Sequence, residues 1–316
     1  MKGRIWLALA LVFPICAQVR FTQGKDRISV AIDGRPFTEF FYGPDVPKPY
    51  LHPLRAASGV VVTRAFPMEA VEGETTDHPH HRGLWFTHGD VSGVDFWMNE
   101  PAGDRKNLGR VVLNRIVSVK DASISAQFDW IGPAGNKMLT ESRTMTFHGA
   151  PRLRVVDFDI TLSAVEKVKF GDTKEGTFAI RVASGLEAPG KNIPATPVRT
   201  GKMIDAEGRE SEAGVWGKRA PWVDVYGEVE GQTVGMAIMD HPSNPHHPTF
   251  WHCRAYGLCA ANPFGAHDFM NDKNQDASIT LEPGRNMRLR YRVVIHEGEP
   301  GAAGIAGLYA AFAATR

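Results

Sequence analysis

Between Leu153 and Leu162 the side chains alternate. Val155, Asp157, Asp159 and Thr161 fall on one side, and Val156, Phe158, Ile160 and Leu162 on the other. A period of two marks a strand with one buried face. Strand-like segments recur along the chain: Arg27 to Ile32, Arg35 to Tyr42, Gly59 to Thr63, Val111 to Val119, Ser123 to Trp130, Thr177 to Ala183, Trp222 to Glu230, Thr233 to Met239, Ala277 to Leu281 and Met287 to His296. Turns rich in Gly, Pro, Asn and Asp separate them. Asp33-Gly34 is a two-residue hairpin signal, and a second hairpin is expected near Asp121. Only Ala302 to Ala314 reads as a helix, with Ile305, Leu308, Tyr309 and Phe312 at helical spacing. The stretch from Leu186 to Ala220 reads as a long loop. The expectation is a mainly β chain, a large antiparallel β-sandwich with a C-terminal helix packed on a sheet.

Composition narrows the function classes. The 316 residues carry a net charge of +1 and no block of like charge, so neither nucleic acid nor an anionic membrane is suggested as a partner. Arg285, Arg288, Arg290 and Arg292 read as one solvated strand face. No glycine fingerprint, P-loop or Gly-x-Ser-x-Gly elbow is present, which argues against a nucleotide fold or a serine hydrolase. Lys2 and Arg4 precede an apolar run from Ile5 to Ile15, followed by Cys16 and Ala17. This reads as a secretory signal cut near Ala17, leaving one β-sandwich domain over 18–316 in the periplasm or outside the cell. A lipid anchor at Cys16 is the lesser alternative, because Ile15 is bulky for such a cleavage site. The run is too short to span a bilayer, and no second one is long enough. Export would leave Cys253 and Cys259 as a disulfide closed by a turn at Gly257, or as two buried thiols.

The chemistry concentrates in two segments. Residues 77 to 90 read Asp77-His78-Pro79-His80-His81-Arg82-Gly83-Leu84-Trp85-Phe86-Thr87-His88-Gly89-Asp90, and Asp240-His241-Pro242 opens a second run that reaches His246, His247 and His252. Together they hold eight of the twelve histidines. Imidazole moves protons near neutral pH and is costly to bury unpartnered, so such density points to a site. The expected arrangement brings both segments together on loops of a β scaffold. His81, His88, His241 and His252 would exchange protons, with Glu175 of Gly171-Asp172-Thr173-Lys174-Glu175-Gly176 as a further acid or base. Arg82, Asp95, Asp240 and Asn262 would hold hydroxyls, while Trp85 and Trp97 would stack on sugar rings. His78 and His80 are the candidate ligands if zinc, copper or iron binds. No His-Glu-x-x-His helix is present.

Four motifs carry a resemblance: His78-Pro79-His80-His81-Arg82-Gly83-Leu84-Trp85 with His88-Gly89-Asp90, the 171–176 segment, Asp240-His241-Pro242-x-Asn244 leading to Pro248-Thr249-x-Trp251-His252, and Ala261-Asn262-Pro263-Phe264. Over nearly the whole mature chain the sequence resembles the secreted bacterial proteins called the PmoA family, otherwise a family of unknown function. That label implies a copper-dependent monooxygenase subunit built of membrane-spanning helices, of which this chain has none beyond the signal. The family is also similar in strand content to the β-sandwiches of sugar mutarotases, where histidines and acids move protons on a sugar. Two enzymatic expectations follow. One is an exported epimerase, lyase or hydrolase acting on a small sugar or oligosaccharide without a cofactor. The other is a copper or iron oxygenase. A sugar-binding protein without turnover is a third. Hydrolysis by two carboxylates is less favoured, because the acids are not evidently paired.

Overall fold

The computed structural model describes residues 17–100, 105–189 and 197–316. The expected signal segment, Cys16 included, lies outside them up to Ala17. The strands in chain order are β1 (Val19–Gln23), β2 (Arg27–Ile32), β3 (Arg35–Phe41), β4 (Tyr50–His52), β5 (Leu84–His88), β6 (Arg110–Lys120), β7 (Ser123–Ile131), β8 (Lys137–Ala150), β9 (Leu153–Ala164), β10 (Val168–Phe170), β11 (Gly176–Arg181), β12 (Lys202–Asp205), β13 (Trp222–Val229), β14 (Gln232–Asp240), β15 (Phe250–Trp251), β16 (Leu258–Asn262), β17 (Ile279–Leu281) and β18 (Asn286–Glu297). The helices are α1 (Ser211–Val215), α2 (Ala266–Phe269), α3 (Pro300–Ala303) and α4 (Ile305–Ala313).

Two eight-stranded sheets carry the fold. The first has the order β1-β2-β3-β4-β5-β11-β16-β15, the second β12-β13-β14-β18-β9-β8-β7-β6, and β10 pairs with β17 as a small third sheet. The strand pairings are antiparallel, as the tight turns imply. The inner faces of the large sheets meet. Phe178 of β11 stacks on Tyr291 of β18 at 4.4 Å and packs edge-on to Phe158 of β9 at 4.9 Å. Phe86 of β5 meets Trp130 of β7 at 6.0 Å. All five rings are buried.

The alternation in β9 works as expected. Val156, Phe158, Ile160 and Leu162 enter the core, while Asp157 and Asp159 point outward toward β18. There Arg292 forks onto Asp157 at 2.6 and 2.8 Å, and Arg288 Nε reaches Asp159 at 2.9 Å. Arg285 precedes the strand and does not share that face. The C-terminal helix is broken in two at Gly304, whose φ of 71° only glycine adopts freely. Ile305 and Phe312 of α4 lie against Val155, Ala237, Met239 and Val294 on the outer side of the second sheet.

Three expectations change. Gly59 to Thr63 contributes single bridges rather than a strand. The stretch from Leu186 to Ala220 holds β12 and α1, and its residues 190–196 lie outside the described ones. The first histidine segment is not all loop, for it contains β5. Cys253 and Cys259 are disulfide-bonded in the core, closed by the turn at Gly257 with φ 91°. Because the closed loop is short, replacing both cysteines by serine lowers stability by about 2 kcal/mol, read by urea unfolding under oxidising conditions.

Candidate active site on the outer face of the first sheet

Strand alternation decides which side chains can meet. On β5, Leu84, Phe86 and His88 face the core, so Trp85 and Thr87 face outward. The pairing continues this across the sheet. Tyr50 lies opposite Trp85, Trp85 opposite Ala179, and Ala179 opposite Ala260. Ala260 then exchanges two backbone bonds with His252, at 2.9 and 3.2 Å. One row on the outer face thus runs Tyr50–Trp85–Ala179–Ala260–His252.

Rings from the loops on either side of β5 and from the β15–β16 turn stack over this row. Tyr256 and His78 lie parallel at 5.1 Å, His78 and His81 at 4.8 Å, and His81 and Trp85 at 5.2 Å with 23° between planes. Trp97 closes the column against Trp85 at 5.1 Å. The indole Nε1 atoms of Trp85 and Trp97 are both buried without a hydrogen-bond partner among the described residues.

Arg181, at the end of β11, anchors the column from below. It is fully buried and donates to Asp77 at 2.8 Å, to Thr75 at 3.1 Å and to His81 Nδ1 at 3.3 Å. Arg64, equally buried, donates to the same Asp77 oxygen at 2.6 Å. Since Nδ1 of His81 accepts, its proton sits on Nε2. Burial, with His80 and Arg181 close by, holds His81 far below the ordinary histidine range, so it is a neutral hydrogen-bond donor. His80 is pushed down to about 2 by burial and by Lys48.

The 171–176 loop supplies the groups that can exchange protons. His252 donates from Nδ1 to the carbonyl of Lys174 at 2.9 Å, which leaves the lone pair on Nε2. Nε2 has no hydrogen-bond partner among the described residues. Burial brings His252 down to about 4, so it is neutral and basic in function above that pH. The next residue of the loop is Glu175. Burial raises its carboxyl above the usual range, and the charges of Asp95 and Asp268 add to this against Lys174 and His78. The loop is held by Asn262, which donates to Thr173 O at 2.8 Å, and by Asp268, which accepts from Lys174 N at 2.8 Å.

The sequence expectation and the structure part at several residues. His81, His252, Glu175, Trp85 and Trp97 come to one face, with His78 and His80. His88 does not, because its place on β5 points it into the core. There it packs on Phe170 and Phe264 and donates from Nε2 to Gly171 O at 2.8 Å. His241 also lies elsewhere, between Ser243, Arg290 and Thr315 beside Phe312 of α4. Asp240 staples its own loop through Asn244, His247 and Thr249. Asn262 is on the outer face, yet both ends of its amide are engaged, the oxygen accepting from Phe264 N. Arg82 forks onto Glu100 at 2.6 and 2.9 Å, and Asp95 accepts from the amides of Trp97 and Met98. Arg82 and Asp95 brace the walls.

Four participants escaped sequence reasoning: Arg64, Arg181, Tyr256 and Lys48. A lone arginine inside the apolar run of β11 was the available signal. Lys48 is fully buried, donates to Trp97 O at 2.7 Å and to Asn99 at 2.9 Å, and is pulled down to about 7 by burial.

The metal expectation meets a poor donor set. Among the described residues no group of three or more His, Cys, Asp or Glu side chains is placed to hold an ion. Of the expected pair, His78 has Nδ1 engaged by Asp77 at 3.0 Å, and His80 stands edge-on to it with ring centroids 5.7 Å apart. Around them stand Arg64, Arg105, Arg181 and Lys48, which repel a cation. No helix of the described residues is long and apolar enough to cross a membrane.

Known proteins resemble the chain in fold only distantly. A galactose mutarotase-related enzyme of Lactobacillus acidophilus is 9% identical, covering 88% of this chain and 97% of that one, with a TM-score of 0.35. A galactose mutarotase-like protein of Clostridium acetobutylicum is 11% identical, covering 90% and 99%, at 0.40. An α-galactosidase of Geobacillus stearothermophilus is 10% identical, covering 89% and 41%, at 0.39. No curated protein matches. A family model does match, over residues 27–310, and its description carries no oxygenase assignment. The chain belongs to that family, the family of unknown function DUF6807.

Proposed function

We propose that this is an exported carbohydrate-active enzyme that moves protons on a sugar held at the outer face of the first sheet. One observation carries the reading. His252, with a bare Nε2, and Glu175, with a raised carboxyl, are tied to the same loop beside a column of stacked rings. A neutral imidazole can take a proton, and a carboxyl that stays protonated can give one. His78 and Tyr256, the half-buried end of the column, suit the apolar face of a pyranose. His252 Nε2 takes the proton of a sugar hydroxyl or an acidic C–H. Glu175 delivers one to the oxygen whose bond to carbon breaks. Epimerisation and elimination both need this pair, as does water-driven cleavage. Export is supported by the basic and apolar N-terminal run and by the Cys253–Cys259 disulfide, which an oxidising compartment sustains.

The pH profile follows from the two groups. The base must be deprotonated, so kcat/KM climbs as pH rises through about 4, the value of His252. The acid must be protonated, so kcat/KM falls again as pH rises through the elevated value of Glu175. The profile is therefore a bell with its acid limb near 4, and a profile flat from pH 4 to 9, on the order of the range such assays cover, contradicts the pair. The test is to incubate the purified mature chain with a panel of aldoses, uronic acids and glycosides and follow each by proton NMR. Turnover of one class supports the reading. Binding without turnover leaves the sugar-binding alternative, and neither binding nor turnover overturns both.

A further inference from the structure

A cavity of about 480 Å³ lies away from the ring column, between the segment after β4, the turn Ser184–Leu186 and the β13–β14 hairpin. The chain from Val61 to Ala65 separates the two places. Val61, Thr63 and Ala65 line the cavity, whereas Arg64 points the other way, to Asp77. We propose that this cavity is a second ligand site, for a small organic molecule that buries a hydroxyl and leaves an uncharged or positively charged end at the mouth.

Two buried groups give the inner end its chemistry. Thr63 Oγ1 accepts from Leu54 N at 3.1 Å and lies 3.4 Å from His52 Nδ1. The other ring nitrogen of His52, Nε2, has no hydrogen-bond partner among the described residues and can meet a ligand hydroxyl as donor or acceptor. His52 is 3% exposed, and burial with Arg55 nearby brings it down to about 4, so it is neutral. Ser184, also 3% exposed, has a hydroxyl without a partner. Both line the cavity, and a buried polar group left unpaired is costly unless a ligand or water meets it. The remaining charge selects the other end. Among the described residues Glu69, Glu74, Glu228 and Glu230 line the cavity against Arg55, a balance that disfavours anions. The volume is that of an ordinary small-molecule pocket. The site stands independently of the sugar reading.

Three matched probes test this: trans-4-aminocyclohexanol, cyclohexane-1,4-diol and trans-4-hydroxycyclohexanecarboxylate. Each is titrated into the labelled mature chain while backbone amide resonances are followed. The amine and the diol are expected to shift Thr63, Ser184 and Gly231, with the carboxylate about tenfold weaker. Ser184→Ala weakens the diol about fivefold. Val198→Trp, at a position 68% exposed on the rim, blocks all three and leaves the melting temperature unchanged. The proposal is overturned if no probe shifts these resonances, if the carboxylate binds as well as the amine, or if Val198→Trp leaves binding intact.

Discussion

His252→Ala and Glu175→Gln each lower kcat on the sugar that the enzyme turns over by about 10²- to 10⁴-fold, the range for removing a general base or acid. KM moves far less, because neither change touches the ring column. The two effects differ in their pH signature. Without His252 the limb near pH 4 disappears, and without the carboxyl of Glu175 the alkaline limb disappears. The double variant loses little more than the worse single one, since acid and base act as a unit. Steady-state kinetics across pH read all three outcomes. His241→Ala is the control. It resembles His78 in its Asp-His-Pro context, yet it packs against α4, so kcat stays within about twofold of the parent.

Arg181→Met destabilises the fold by about 3–5 kcal/mol, the cost of removing one partner from a buried ion network. Methionine fills much of the volume but leaves Asp77 with Arg64 and His78, and it strips Glu187 of a guanidinium 3.6 Å away, leaving it Arg199 at 3.0 Å. Glu187 is fully buried, and burial already raises its carboxyl. Arg181→Lys, which keeps a positive charge beside Asp77 and Glu187, therefore recovers part of the loss. Urea unfolding measures both. A purely packing role for Arg181 predicts that Arg181→Lys is no more stable than Arg181→Met. Arg181→Met also releases His81 Nδ1, so the ring column loosens and KM for the sugar rises.

Much of the sandwich was legible in the sequence because burial on one face leaves a period of two. β9 and β18 declare themselves this way, and Asp33-Gly34 fixes the β2–β3 hairpin. β5 did not, since five buried residues in a row leave no alternation to read, and histidines on either side suggested a loop. That omission has a direct consequence. Placing Leu84–His88 on a strand sends Trp85 and His88 to opposite faces, and one pocket cannot hold both. The likeness of the two Asp-His-Pro segments was equally misleading. Asp77 meets two buried arginines from distant parts of the chain, whereas Asp240 folds back on residues four to nine positions away. Local sequence carries the second arrangement. The first exists only once β11 lies beside β5, which no local pattern specifies.

The outer face of the first sheet is tested most directly by the indole N–H resonances of the mature chain during titration with the sugar that it turns over. Those of Trp85 and Trp97, buried beneath the ring column, are expected to shift together as the rings above them take up the sugar, saturating at the KM, while Trp130, bonded to Glu141 at 2.8 Å in the core, stays in place. Movement confined to other tryptophans, or saturation with Trp85 and Trp97 unmoved, contradicts a sugar site on that face.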